Sequence, residues 1–81
     1  MTPPQPLRDS LSRVPDNVRA ELARRRMDLT DLAPLIQLSY TTLKRRMEDP
    51  RSFRAGELAD IAVALRMRIE RLFADVDEGD R

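Results

Sequence analysis

The side chains with the clearest capacity for recognition chemistry lie together in residues 40–47, which read Tyr-Thr-Thr-Leu-Lys-Arg-Arg-Met. On a helix, Leu43 and Met47 share one face, and Arg45 lies almost opposite them with Thr41 beside it. A guanidinium can donate two hydrogen bonds to guanine O6 and N7, and a threonine offers a hydroxyl and a methyl group to a base edge. The spacing therefore predicts a helix that is held by a narrow apolar strip and directs hydrogen-bond donors outward.

Helix-capping signals surround this run and predict the elements that position it. Asp28, with Asp31 three residues later, and Ser39 are typical N-cap residues, whose side chains accept hydrogen bonds from the first N–H groups of a helix. Hydrophobic residues occupy the N′ and N4 positions around both caps, namely Met27 and Leu32, then Leu38 and Leu43. Two helices that begin so close together must cross at a tight turn, as in a helix-turn-helix that places its second helix in the major groove of DNA.

The composition argues against several classes of function. The 81 residues contain no Cys and no His, so we expect no disulfide, no metal site, no cofactor and no histidine general base. The only lysine is Lys44 and the acidic residues are scattered, so we do not expect an enzyme. The start Met-Thr-Pro-Pro-Gln-Pro lacks the apolar stretch of a signal peptide, and no long apolar run follows it. We therefore expect a cytoplasmic protein of a bacterial or phage-infected cell, with no membrane partner.

Charge is unevenly distributed along the chain. Residues 1–74 hold fourteen Lys and Arg against ten Asp and Glu, whereas residues 75–81 hold four acidic residues against one Arg. Residues 1–8 contain three of the six prolines and few groups to bury, which predicts a flexible N-terminal arm. The expected organisation is this arm, a helix-turn-helix domain over residues 9–74, and an acidic C-terminal tail over residues 75–81.

Hydrophobic periodicity predicts an all-α fold, organised as a compact five-helix bundle. Pro34 should make the second helix short or kinked because it removes one backbone hydrogen bond. Phe53, in a loop at 49–54, should fill the core. We expect a helical turn within 9–14 and helices over 15–26, 29–36, 40–48, 55–66 and 68–74.

The sequence also resembles a known family. The segments Leu32-Ala33, Leu38-Ser39 and Thr42-Leu43-Lys44-Arg45-Arg46 are similar to the helix-turn-helix of phage Cro and repressor proteins and their bacterial relatives. Further similarities continue downstream at Phe53, Glu57-Leu58, Ile61-Ala62, Ala64-Leu65 and Leu72-Phe73. The resemblance implies a five-helix bundle, usually a homodimer, that binds an operator and controls transcription.

Three positions depart from the pattern of that family. Gln37 stands where the family usually has a turn glycine, and a left-handed glutamine costs about 1 kcal/mol or more. Pro34 is unusual within the second helix, and Met47-Glu48-Asp49 replaces a frequent aromatic-Glu-x-Gly ending. These departures concern local geometry and remove no group that could contact DNA.

From these arguments we expect sequence-specific binding of double-stranded DNA, at a pseudo-palindromic operator, by a Cro-like repressor without a small-molecule ligand. The resemblance assigns base contacts to Tyr40, Thr41 and Arg45, with Lys44 nearby. For phosphate contacts we expect Ser39, Thr42, Arg46, Arg24 and Arg51, although Arg46 lies close enough to the body to meet an acidic residue instead.

The last predicted helix allows two interpretations. Its apolar residues could form a homodimer interface or simply close the core; they are Ile69, Leu72, Phe73 and Val76. A helical protein-interaction module, such as an antitoxin or adaptor, is the alternative function.

Overall fold

The computed structural model describes residues 10–75, and this part of the chain is helical with no strand. After a helical turn at 10–12, the α-helices are α1 (Val14–Arg24), α2 (Leu29–Leu35), α3 (Tyr40–Glu48) and α4 (Ala55–Ala64). Two 3₁₀ helices complete the described part, η1 (Pro50–Ser52) and η2 (Ile69–Phe73). The arm predicted at 1–8, Val76 and all but the first residue of the predicted tail lie outside the described residues. No helix among residues 10–75 is long and apolar enough to cross a membrane.

The all-α class is confirmed, but the fifth predicted α-helix is the 3₁₀ helix η2. Its backbone bonds have i to i+3 spacing, with Arg71 N–H donating to Arg68 O at 3.0 Å. The Asn17 side-chain amide donates to the carbonyl oxygens of Leu72 and Ala74, both at 2.8 Å. Because these carbonyl oxygens accept hydrogen bonds from α1, they do not continue the backbone bonds of η2, which ends after a single short stretch.

α1, α2 and α4 end in the same way, with one residue in the left-handed region and no glycine there. The φ angles are 55° at Arg26, 59° at Gln37 and 53° at Arg66. The following residue in each case closes a Schellman motif, as Met27 N–H does by donating to Leu22 O at 2.9 Å. The equivalent bonds are Leu38 N–H to Ala33 O at 3.0 Å and Met67 N–H to Ala62 O at 2.9 Å.

These Schellman motifs correct two predicted helix boundaries. The predicted helices over 15–26 and 55–66 each end two residues early, at Arg24 and Ala64. The C-terminal bounds of these two helices were predicted too late because the left-handed residues, Arg26 and Arg66, are not glycines and so do not mark the helix ends in the sequence. Gln37, in contrast, adopts the left-handed conformation that the comparison with the family predicted.

The second helix is short, as its internal proline predicted. α2 has seven residues and ends one residue after Pro34, which has no N–H to continue the backbone ladder. At its start, Asp28 and Asp31 form a capping box with two reciprocal bonds of 3.0 Å. The capping box stabilises this short helix because it satisfies N–H groups at the helix start that have no hydrogen-bond partner within the helix.

The core runs through all four α-helices and η2. Its fully buried members include one or more residues from each of these elements, and Phe53 fills it from the loop as predicted. Met27, Leu38 and Met67 are partly buried and pack against the core at the three helix joints. Each of them follows a left-handed residue and precedes the N-cap of the next element, so one side chain anchors the end of one helix and the start of the next.

We predict that Gln37→Gly stabilises the protein by about 0.5–1 kcal/mol, since glycine adopts a positive φ without the steric cost that a Cβ brings. Urea unfolding would measure the change. Gln37→Ala is the matched control, because it removes the exposed side chain but keeps the Cβ, and its stability should stay near that of the parent chain. A glycine variant no more stable than the alanine variant would contradict this account of the joint.

Candidate nucleic-acid interface

Helix α3 is seated by its apolar face and its N-cap. Leu43 is fully buried and Met47 is 4% exposed, so the stripe predicted from their spacing faces the core. Ser39 Oγ accepts a hydrogen bond of 3.1 Å from Thr42 N–H and caps the helix as predicted. The bounds Tyr40–Glu48 coincide with those expected from the sequence. These contacts leave the opposite face of α3 directed outward.

The outward face brings together the four residues predicted to contact bases. Tyr40 is 44% exposed, and Thr41, Lys44 and Arg45 are exposed as well. Within residues 10–75, no hydrogen bond or ion pair engages the side chains of Lys44 and Arg45. Their donors are therefore available to a ligand, and the charge and hydroxyl groups of this face suit the acceptor-rich edges of base pairs.

Ser39 and Thr42 form a local pair of hydroxyl groups at the start of α3. Besides accepting from Thr42 N–H, Ser39 Oγ–H donates to Thr42 Oγ1 at 2.9 Å. Ser39 has thus used its only side-chain donor, whereas the Thr42 hydroxyl retains its own. A phosphate oxygen accepts hydrogen bonds, so of these two hydroxyl groups that of Thr42 has the donor that a phosphate contact would need.

Arg46 is engaged by an acidic residue of α4. Its Nε–H donates to Glu57 Oε1 at 3.0 Å and its Nη2–H donates to Glu57 Oε2 at 3.4 Å. Both side chains are largely buried, at 18% and 14% exposure. Of the two partners expected for Arg46, the structure contains the acidic one, and the ion pair occupies its Nε–H and Nη2–H donors. Its effect is to tie the last turns of α3 to the start of α4.

Glu57 also caps α4, which makes it the connecting group between the two helices. Its Oε1 accepts from the backbone N–H of Arg54, the N-cap residue, at 2.9 Å. Burial by itself would raise the pKa of Glu57, but hydrogen bonds from the Arg46 side chain and the Arg54 backbone outweigh it and lower the pKa below its ordinary value. The carboxylate form is therefore the one that the fold stabilises.

The remaining phosphate candidates lie in two different environments. Arg51 is exposed on η1, the turn that directly follows α3, and Arg54 is exposed beside it at the start of α4. Arg24 instead pairs with Glu21 on α1, in a cluster near η2. The structure thus keeps Arg51 next to α3 but does not join Arg24 to that group.

The residues predicted for a dimer interface differ in how deeply their side chains are buried. Leu72 has no exposed surface and belongs to the core of its own chain, so the core role replaces the interface role predicted for it. Phe73 is partly buried against the same core. Ile69 is 40% exposed and stays available, while Val76 lies outside the described residues.

Sequence reasoning assigned no role to three polar residues that form contacts between or along the helices. Glu57 binds Arg46 of α3, Glu21 pairs with arginines of α1, and Asn17 joins α1 to η2. Glu57 lies three residues after the N-cap, as in a capping box, but the N-cap residue Arg54 has no side-chain acceptor, so the sequence carries only half of that signal. Its pairing with Arg46 has no such signal because the two residues are brought together by the fold alone.

Comparison with known proteins gives a family but no individual relative. A family model described as a Cro/C1-type HTH DNA-binding domain matches residues 17–78, which include all of α2, α3 and α4. No curated protein and no solved structure gives a significant match to the chain. The matched segment covers most of the chain, including the outward face of α3.

We predict that Glu57→Gln destabilises the fold at pH 7 by about 1.5–3 kcal/mol, the range for a charge-assisted hydrogen bond, while glutamine preserves the cap on Arg54. The folded pKa of Glu57 is lowered, so its carboxylate stabilises the fold above the unfolded pKa of about 4.3. That contribution is lost as pH falls through the folded pKa, so the variant and the parent chain should converge in acid.

Urea unfolding at a series of pH values measures this difference. Glu48→Gln is the matched control, since Glu48 is an exposed glutamate of α3, and its effect should be small at every pH. A Glu57→Gln penalty that is the same at neutral and acid pH would mean that the charge of Glu57 contributes nothing.

Proposed function

This chain belongs to the Cro/C1-type helix-turn-helix DNA-binding domain family, and from this premise we propose that it binds double-stranded DNA sequence-specifically with α3 in the major groove. By occupying its site it controls transcription in the manner of a Cro-like repressor. The observation that carries the proposal is the outward face of α3, where the donors of Lys44 and Arg45 are exposed and unpaired among residues 10–75.

Base reading is assigned to this face, with Arg45 at its centre. Arg45 lies opposite the buried stripe of Leu43 and Met47, so it extends farthest from the body of the domain. A guanidinium in the major groove most often pairs with guanine, where two hydrogen bonds distinguish that base from the others. Tyr40 and Thr41, at the exposed start of α3, reach neighbouring base edges or the sugar-phosphate backbone.

Phosphate binding is assigned to the two ends of α3. Thr42 retains a hydroxyl donor at the N-terminal end, and Arg51 and Arg54 extend from the exposed turn and helix start that follow the C-terminal end. Arg46 supports these contacts indirectly, because its bond to Glu57 fixes the turn between them. Phosphate contacts of this kind set the register of α3 without reading sequence.

Two copies on one duplex would give enough readout for a specific site. A single short helix reads only a few base pairs, too few to distinguish one site among the competing sites of a genome. Ile69 is exposed on η2, with Phe73 partly buried beside it, and we assign the contact between copies to these residues. A two-fold axis through the contact places the two α3 helices in successive major grooves.

The substitutions Arg45→Ala and Arg51→Ala test the division between base and phosphate contacts, since each removes one positive charge. We expect Arg45→Ala to cost about 1–3 kcal/mol on the preferred duplex and to relax specificity at one base pair. Arg51→Ala should weaken binding to all duplexes alike and reduce the slope of log K against log salt by about 0.9.

Affinities of both variants for matched and single-mismatch duplexes, measured at several salt concentrations, distinguish the two patterns. If Arg45→Ala weakened every duplex equally, Arg45 would be a phosphate contact and the proposed orientation of α3 would be wrong. A salt slope unchanged by Arg51→Ala would remove Arg51 from the interface.

In vitro selection of bound duplexes tests the two-fold arrangement. We expect the selected sites to contain an inverted repeat whose half-site centres lie about 34 Å apart, one helical turn of DNA. Ile69→Asp should weaken binding to the full site but leave binding to a single half-site unchanged. Selected sites that share a motif without inverted symmetry would contradict the dimer and leave sequence reading in place.

A further inference from the structure

A group of arginines lies at the meeting point of α1, α4 and η2, outside the outward face of α3. We call it the arginine surface, and it consists of Arg24, Arg25, Arg66, Arg68 and Arg71. η2 packs against α1 and α4, so the surface is formed by the elements at that end of the domain. None of its members belongs to α3 or to the turn that follows it.

Glu21 holds three of these arginines in place. This carboxylate is 7% exposed and accepts hydrogen bonds from Arg24 and Arg25 of its own helix. Arg71 Nη2 of η2 lies 3.6 Å from Glu21 Oε1. Arg25 also donates to Leu65 O at the end of α4, immediately before Arg66. The guanidinium groups of Arg24 and Arg25 on α1 and of Arg71 on η2 are therefore gathered around one buried carboxylate.

The five arginines of the surface outnumber the two glutamates beside them, Glu21 and Glu70. The Glu70 carboxylate is 3.9 Å from Arg68. Much of the guanidinium surface remains exposed, with 59% for the Arg24 side chain, 61% for Arg71 and 83% for Arg68. These exposed guanidinium groups have donors left for a further anionic group.

We propose that the arginine surface is the docking site of the chain's own acidic C-terminal segment, residues 75–81. This segment contains three Asp and one Glu against a single Arg, so its charge is opposite to that of the surface. Its starting point is fixed nearby, because Asn17 Nδ2 donates to Ala74 O at 2.8 Å and Asn17 lies one helical turn before Glu21 on α1. Six further residues can extend about 20 Å, enough to cross the cluster.

The expected association is weak and depends on the covalent connection. Each exposed ion pair contributes little by itself, and salt screens it. A short connection to Ala74 raises the local concentration of the segment to the millimolar range, which offsets the weakness of each pair. The segment should therefore dock at low ionic strength and leave the surface at about 1 M salt, where the Debye length is about 3 Å.

Docking would also affect which polyanions the domain binds, and this consequence rests on the proposed function. The arginine surface, when open, attracts any phosphate backbone without reading its sequence. When residues 75–81 cover the arginine surface, α3 and the turn that follows α3 remain as the main positively charged surface available to DNA. The acidic segment would in this way reduce non-specific binding without touching the base-reading side chains.

Paramagnetic broadening of backbone amide signals tests docking in the absence of DNA. The chain has no Cys, so Gly79→Cys provides a single attachment point for a spin label. The reference carries the same label with Asp77→Asn, Glu78→Gln and Asp80→Asn, which keeps the length of the segment but removes its acidic charge. We expect the acidic segment to broaden the amides of Arg24, Arg25 and Arg66 more than the neutral reference does at low salt, with the excess lost at about 1 M salt.

Two variants of the surface complete the experiment. Arg24→Gln with Arg68→Gln should abolish the excess broadening, whereas Arg19→Gln with Arg51→Gln removes the same charge elsewhere and should preserve it. Equal broadening by the acidic and neutral segments, or an excess centred on α3, would overturn the proposal. Because no DNA is present, either failure would leave the proposed DNA-binding function standing.

Discussion

The fold depends on the joints between its short helices. Three of these joints, after α1, α2 and α4, consist of a C-cap residue, a left-handed residue, a hydrophobic residue and the next N-cap, with φ near 55° at Arg26, Gln37 and Arg66. The left-handed conformation costs about 1 kcal/mol or more wherever a Cβ is present, and the Schellman bonds and the burial of the following side chain offset that cost. Helices of seven to eleven residues would be marginal alone, so these joints determine how they pack.

The middle joint has the largest consequence for function because it sets the angle between α2 and α3. Leu38 anchors the joint, Ser39 caps α3, and Arg46 fixes the far end of the same helix to Glu57 on α4. Held at both ends and along its buried stripe, α3 needs no further ordering of its backbone to present its side chains to a duplex. A reading helix prepared in this way spends less of its interaction energy on becoming ordered when it binds.

Short-range patterns in the sequence predicted much of this structure. The bounds of α3 and its buried Leu43 and Met47 stripe follow from local spacing and capping rules, and the left-handed Gln37 follows from the resemblance to the family. The Arg46–Glu57 pair and the arginine cluster around Glu21 do not, because they join residues whose proximity is created only by the packing of different helices. The ends of α1 and α4 were also placed too late, since an arginine in the left-handed conformation has no sequence signature comparable to glycine.

Amide chemical-shift mapping during titration with a selected duplex tests the central claim most directly. If α3 enters the major groove, the largest shifts should lie at Tyr40, Thr41, Lys44 and Arg45, with smaller shifts at Arg51 and Arg54, where we propose phosphate contacts. The same pattern should weaken at α3 when a non-specific duplex replaces the selected one. Shifts centred on α1 and η2, with α3 unchanged, would contradict the account.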